Sequence, residues 1–260
     1  EMQWFAMANG NWKSATGKPA NYCMEVFGRG EKKCGIPHEF GSTGFGVVQT
    51  AKVSVEFANV QLKGATASIA GFGNVGTFAM KHLEELDVKT VAVSGRDGTI
   101  YNPKGIDYKT LMKIKDSGKS IMDYKDAKKL GRDAIYELKV DMLIPAATPD
   151  VINEGNYKKV KAKIIIEGAN IPMHEKYEEY YHKNGVLIVP DFVANAGGVI
   201  SSYAEYRGYN PKRMFETVEH KIVKNVRTVL EASKKEKRSP RKVAMEIAKK
   251  RILSAKRKVF

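Results

Sequence analysis

Residues 65–76, A-T-A-S-I-A-G-F-G-N-V-G, constrain the fold of this chain more than any other stretch. The apolar start reads as a short buried strand. Residues 77–86 read as a helix, with the helical turn opening near Asn74. Between them Gly71, Gly73 and Gly76 stand at the G-x-G-x-x-G spacing of a dinucleotide-binding turn. The first glycine permits the tight turn and the second lets backbone approach a pyrophosphate. The third lets the helix pack closely on the strand. Phosphates would meet the free N–H groups and positive end of the helix, with Phe72, Asn74 and Val75 completing the turn. The alternative is an ordinary tight strand-to-helix turn. The placement after a strand and before a helix favours the nucleotide reading.

The remaining sequence extends this unit. Residues 89–94, 140–144, 163–167 and 186–189 are short apolar runs that read as strands. Helical periodicity marks residues 42–58, 107–118, 124–130 and 174–184. Short apolar strands alternating with helices specify an α/β, Rossmann-like, doubly wound and mostly parallel sheet. In such sheets ligands bind beyond the carboxyl ends of the strands, so the loops opening at Gly71, Ser94, Pro145, Gly168 and Pro190 are expected on one edge. Asn210-Pro211 and Ser239-Pro240 start two further helices. Phe215, Val218, Ile222, Val226 and Val229 form the inward stripe of the first, and Val243, Ile247, Ile252 and Ala255 that of the second. Both are expected to be packing elements without chemistry. The expected divisions are an N-terminal segment at 1–40, a nucleotide-binding domain at 41–208 and C-terminal packing helices at 209–260.

The formal net charge of +15 suggests nucleic acid until it is located. Residues 207–260 hold 18 Lys and Arg against 5 Glu, so the excess is concentrated in the C-terminal helices. There the basic residues lie opposite apolar stripes with no interleaved aromatics, which favours a solvated or partner-facing surface. No apolar run approaches the roughly 20 residues of a membrane span, and no secretory leader pattern opens the sequence. The expectation is a cytoplasmic protein without membrane contact. Cys23 and Cys34 lack C-x-x-C spacing and His partners, so reduced structural thiols are expected and a metal site is not.

Several blocks resemble the glutamate dehydrogenases of the Glu/Leu/Phe/Val dehydrogenase superfamily. They are G-S-T-G-F-G at 41–46, G-F-G-N-V-G at 71–76, E-G-A-N at 167–170 and P-D-F-V-A-N-A-G-G-V-I-S-S-Y-A-E at 190–205. E-M-Q-W at 1–4, T-G-K-P at 16–19 and the closing helices are also similar to that family. The resemblance implies that Thr43 and Asn195 hold a nicotinamide carboxamide, with Asn170 near the nicotinamide ribose and ring. It implies that Ala146 and Ala147 line the ribose path through their backbone. Val199 and Ser202 match positions that touch a substrate side chain and its distal carboxylate. An amide both donates to and accepts from a carboxamide, which suits Asn195; the plainer reading of Asn195 is a helix cap.

The family chemistry is reversible oxidative deamination of L-glutamate to 2-oxoglutarate and ammonia. It needs a lysine of lowered pKa to activate water and a carboxylate to move protons. In the family the lysines lie near a P-x-G-G-x-K-G segment, which this sequence lacks; its only Gly-Gly pair is Gly197-Gly198. The expectation is therefore the cofactor half of a dehydrogenase, with no catalytic residue in this chain, inactive without its missing substrate domain, and derived from a homohexameric enzyme. Two departures from the family pattern stand out. His38-Glu39-Phe40 replaces the family's arginine before the 41–46 block, and Gly95 occupies the place of the ribose-binding acid of NAD enzymes. Ser94 and Arg96 beside it suit a 2′-phosphate, so NADP or dual use is favoured over NAD, with Asp97 the counter-argument. Arg96 as a solvated turn residue is the rival reading. Two other functions compete: a dehydrogenase for leucine, phenylalanine or valine, against which the Ser202-Tyr203-x-Glu205 run favours glutamate, and a non-catalytic nucleotide-sensing or nucleic-acid-binding protein.

Overall fold

The computed structural model describes residues 1–20 and 35–256, so the reading of Cys23 and Cys34 lies outside the described residues. Its helices are α1 (Met2–Ala8), α2 (Ser42–Phe57), α3 (Asn74–Glu84), α4 (Tyr108–Asp116), α5 (Ala134–Glu137), α6 (Glu175–Lys183), α7 (Asp191–Ala194), α8 (Gly197–Tyr206), α9 (Pro211–Glu236) and α10 (Pro240–Lys256). Its strands are β1 (Thr66–Ala70), β2 (Lys89–Ser94), β3 (Thr99–Tyr101), β4 (Lys128–Leu130), β5 (Met142–Pro145), β6 (Ile164–Ile166) and β7 (Leu187–Val189). They form one sheet in the order β4-β3-β2-β1-β5-β6-β7. The five strands anticipated from the sequence are the parallel ones, and the order reverses direction at β1, as a doubly wound sheet requires.

The central parallel strands are mainly apolar because both of their faces are buried. Ala67, Ile69, Met142, Ile144, Ile164 and Ile166 face one core, built with α2, α3 and α9. Ala70, Leu143 and Ile165 face the other, which is closed by Ile135 and Tyr136 of α5 and by Tyr177 and Tyr181 of α6. Helix α2 is buried nearly all round, and two of its buried hydroxyls are satisfied within the helix. Thr50 donates to the Gly46 carbonyl at 3.0 Å and Ser54 to that of Thr50 at 2.8 Å.

Two expectations fail. Residues 124–130 do not form a helix: Lys128–Leu130 is β4, paired antiparallel with β3, which itself pairs antiparallel with β2. K-K-L has little strand preference of its own, and it is the open edge of β3 that makes this strand. The turn at Gly95–Gly98, closed by Gly95 N–H on the Gly98 carbonyl at 2.8 Å, makes β2 and β3 a hairpin. In α10, Val243 is buried and Ile247 packs against the core, but Ile252 is 58% exposed and Ala255 is exposed too. The inward stripe therefore stops midway along the helix.

The N-terminal segment is tied to the body by a buried ion pair. Lys18 meets Glu205 of α8, whose other oxygen accepts from Gly17 N–H at 2.7 Å. The Lys18 ammonium also sits 4.6 Å from the Trp12 ring centroid. No helix among the described residues is long and apolar enough to cross a membrane.

Candidate functional site

The elbow after β1 is a close-contact structure. Gly71 has φ +108°, and a Cβ there would lie 2.8 Å from both the Ala146 carbonyl and the Ala147 nitrogen. Gly71 N–H donates to Ser94 O at 3.1 Å and Ala146 N–H to Ala70 O at 2.7 Å, so the turn is sewn between the ends of β2 and β5. A Cβ on Gly76 would stand 1.9 Å from the Gly71 carbonyl, so the first turn of α3 lies directly on the turn below it. Gly73 differs: none of the described residues lies within 4 Å of where its Cβ would be. It precedes α3 as N-cap with no side-chain bond to the helix, which leaves first-turn N–H groups and the positive helix end facing open space.

That space is a groove of about 800 Å³ beyond the carboxyl ends of β1, β2 and β5. Of the residues expected around a cofactor, Gly71, Phe72, Gly73, Ser94, Arg96, Ala146 and Ala147 all line it. Lys115, Ser120 and Arg132, which sequence reasoning did not single out, line it as well. Arg96 is exposed on the β2–β3 turn, whereas Asp97 beside it accepts from the Ser120 hydroxyl at 2.7 Å. Lys115 donates to Thr77 Oγ1 at 2.8 Å and lies 5.3 Å from the Phe72 ring centroid, and partial burial holds its pKa below the usual lysine value. A groove bearing three cations and one engaged carboxylate suits a multiply charged anion. Lys115 and Arg132 come from α4 and the approach to α5, and no local pattern marks either. A second cleft, of about 520 Å³ beside the starting ends of β2 and α3's outer face, contains no glycine elbow.

The remaining expected residues gather one step along the sheet. Gly168 and Ala169 N–H both donate to the Pro145 carbonyl, at 3.0 and 2.8 Å, which sets the β6 loop against the β5 loop. Asn195 Nδ2 donates to Asn170 Oδ1 at 2.7 Å and approaches the Gly168 carbonyl at 3.5 Å. Asn195 is the C-cap residue of α7, and α8 begins after Ala196, so its side chain does not serve as a helix N-cap. The glycines after it let α8 start against α2: a Cβ on Gly197 would lie 2.1 Å from the Ser42 carbonyl, and one on Gly198 would lie 2.7 Å from Thr43 Oγ1. This places Thr43 at the same helix start as Asn195. Val199 is 76% exposed and Ser202 half-buried, three residues apart on one face of α8. The side chains of two elbow residues make packing contacts of their own, which leaves their main-chain amides at the opening of α3. Asn74 Nδ2 donates to the His38 carbonyl at 3.1 Å, and Val75 is the nearest side chain to Gly168.

Known proteins resemble this chain over most of its length. A glutamate dehydrogenase of Aeropyrum pernix is 39% identical over 240 residues, covering 88% of this chain and 57% of the relative. An NADP-specific glutamate dehydrogenase of Saccharolobus shibatae is 38% identical over 179 residues, covering 66% of this chain and 42% of the relative. The chain thus spans about half the length of these relatives. The Leu-bound form of the hetero-hexameric glutamate dehydrogenase from Thermus thermophilus shares the fold, with a TM-score of 0.84 at 23% identity over 100% of this chain and 61% of that one. The family model for Glutamate/Leucine/Phenylalanine/Valine dehydrogenase matches residues 34–259. With most of its length matched by that model, this chain belongs to the Glutamate/Leucine/Phenylalanine/Valine dehydrogenase family.

Proposed function

We propose that these residues form the NAD(P)-binding part of a glutamate dehydrogenase, an oxidoreductase that deaminates L-glutamate to 2-oxoglutarate and ammonia. The observation that carries the reading is the elbow. Gly71 and Gly76 are packed so tightly that a side chain is excluded, while Gly73 opens onto a cationic groove at a helix start. When bound, the nicotinamide group accepts a hydride from the substrate α-carbon. The chain's own part is to bind and orient it. The amides opening α3 hold the pyrophosphate, Ala146 and Ala147 border the ribose path, and Thr43, Asn170 and Asn195 orient the carboxamide end.

The charge of the groove supports NADP, or dual use, over NAD alone. Arg96, Lys115 and Arg132 offer donors to a 2′-phosphate, and Asp97 already accepts a hydrogen bond from Ser120. Val199 and Ser202 are assigned to the substrate end. Glu205 is withdrawn from it, because both of its oxygens serve the Lys18 segment; the residue run that pointed to glutamate over leucine, phenylalanine or valine thereby loses one member. Residues 41–208 are assigned as the nucleotide-binding domain and 209–260 as its C-terminal packing helices, of which α9 shares a core with α2. The complete enzyme is assigned as a cytoplasmic homohexamer. The sequence contains no P-x-G-G-x-K-G segment, so these 260 residues alone are expected to bind cofactor without turning over.

Separate calorimetric titrations with NADPH and NADH test the proposal. NADPH is expected to bind the tighter, with no glutamate-dependent reduction of NADP+. Absence of binding by either nucleotide refutes it, and salt-dependent binding of arbitrary DNA in its place would establish the nucleic-acid alternative.

A further inference from the structure

Arg241, in the first turn of α10, reaches carboxylates from three other parts of the chain. Its Nε donates to Glu178 Oε1 of α6 at 2.6 Å, and its Nη2 donates to Glu167 Oε2 at 3.1 Å and to Asp191 Oδ1 at 2.8 Å. The guanidinium side chain is 16% exposed, and Glu167, Glu178 and Asp191 are 0, 3 and 10% exposed. One buried cation cannot balance three ionised acids. Burial, with repulsion from the neighbouring carboxylates, pushes Glu167 well above the usual carboxylate range and Glu178 up to about 7. Among the described residues no donor reaches Glu167 Oε1, which suits that oxygen to carry a proton the cluster retains.

Asp191 joins this cluster to the amide pair. Its Oδ2 accepts from Ile171 N–H at 2.9 Å, the residue directly after Asn170. Its carbonyl accepts from Asn195 N–H at 2.8 Å, and its own N–H donates to Glu167 Oε2 at 2.8 Å. Ile171 has φ +47°, a conformation a β-branched residue resists and keeps only under external restraint. The Asp191 side chain therefore holds the backbone directly after Asn170, while its main-chain carbonyl closes α7 at Asn195; the side chains of Asn170 and Asn195 meet at 2.7 Å.

We propose that Arg241 is a positioning residue for the nicotinamide end of the cofactor site, acting from α10 through Asp191 on the Asn170–Asn195 pair. This rests on the nucleotide reading above. The final helix, expected to be packing alone, thereby takes a part in the site.

The test titrates the full chain with NADPH and with 2′-phospho-ADP-ribose, which keeps the phosphates and adenosine but lacks nicotinamide. Arg241→Met is expected to weaken NADPH about tenfold, the weight of one good hydrogen bond, and the truncated nucleotide less than about twofold. Arg241→Lys should recover part of the loss. In ¹⁵N-correlated spectra the side-chain amide signals of Asn170 and Asn195 should move toward those of solvated asparagine, while signals from β1 and β2 stay. Asp191→Asn is the second variant: it removes one of the crowded acids, and its amide offers one accepting oxygen where the carboxylate uses two. The same selective loss is expected from it even if Arg241→Met does not fold. Parallel weakening of both nucleotides, or unmoved Asn170 and Asn195 signals in a folded variant, overturns the inference. So does equal affinity of the wild-type chain for the two nucleotides, since the nicotinamide end would then contribute nothing. Failure of the wild-type chain to bind either nucleotide removes the nucleotide reading and this inference with it.

Discussion

Substituting alanine at Gly73 and at Gly76 separates binding from folding within a single turn of chain. At Gly73 the backbone sits at φ −81°, ψ −158°, which alanine adopts without strain, and its methyl would meet none of the described residues within 4 Å. Lower entropy of the unfolded chain favours the variant by about 0.4–1 kcal/mol, and loss of a glycine N-cap opposes it by a similar amount. Stability should therefore change by less than about 1 kcal/mol, or roughly 2–4 °C in Tm. At Gly76 the same methyl would lie 1.9 Å from the Gly71 carbonyl oxygen and 3.1 Å from Ile69 Cγ2. Backbone cannot yield as a flexible side-chain end does, so the cost should reach or exceed about 3 kcal/mol, the upper end for overpacking. Urea unfolding followed by circular dichroism measures both changes, and calorimetry with NADPH measures the ligand. Gly73→Ala should fold normally yet bind at least about tenfold more weakly, because its methyl stands where phosphate must approach. If Gly73→Ala and a bulkier Gly73→Val keep wild-type affinity, the phosphate does not rest on this elbow and the argument from its geometry fails.

Three further expectations follow from individual contacts. Arg96→Ala should reduce NADPH affinity by about tenfold and leave NADH nearly unchanged, the exposed setting keeping the effect to roughly that size; equal losses for the two nucleotides would remove Arg96 from 2′-phosphate recognition. Glu205→Ala strands the buried Lys18 ammonium and should cost about 3–5 kcal/mol, with hydrogen exchange at Gly17 and Lys18 speeding up first; unchanged protection there would show that the N-terminal segment is held by other contacts. The folded-state value of Glu178, about 7, lies above its ordinary value of 4.5 because burial disfavours its charged form. The folded chain therefore keeps a proton in this window that the unfolded chain releases, and this group's stabilisation is full below about pH 4.5 and lost as pH rises through about 7. Glu178→Gln should flatten that fall, so unfolding free energies of the two proteins measured from pH 5 to 8 should converge or cross as pH rises; parallel curves would contradict the assignment.

How much of this was legible in the sequence depends on how local each determinant is. The elbow at 71–76, the five parallel strands and the starts of α9 and α10 rest on residues within one turn or strand of each other: glycine spacing, apolar runs long enough only for buried strands, and Asn-Pro at a helix start. The shared edge of Gly71, Ser94 and Ala146 also follows from parallel topology, because every such strand delivers its following loop to the same side. Strand β4 could not be read this way, since Lys128–Leu130 becomes a strand only through the hydrogen bonds of a partner edge. Lys115 and Arg132 face the groove because of where α4 and the approach to α5 dock, and nothing near them in sequence carries that information. The ion pairs that organise the rest span still longer separations: 187 residues from Lys18 to Glu205, and 74 and 50 from Arg241 to Glu167 and Asp191. A buried charge is tolerable only opposite a partner, and the chain brings those partners together only when the sheet and both flanking layers have closed.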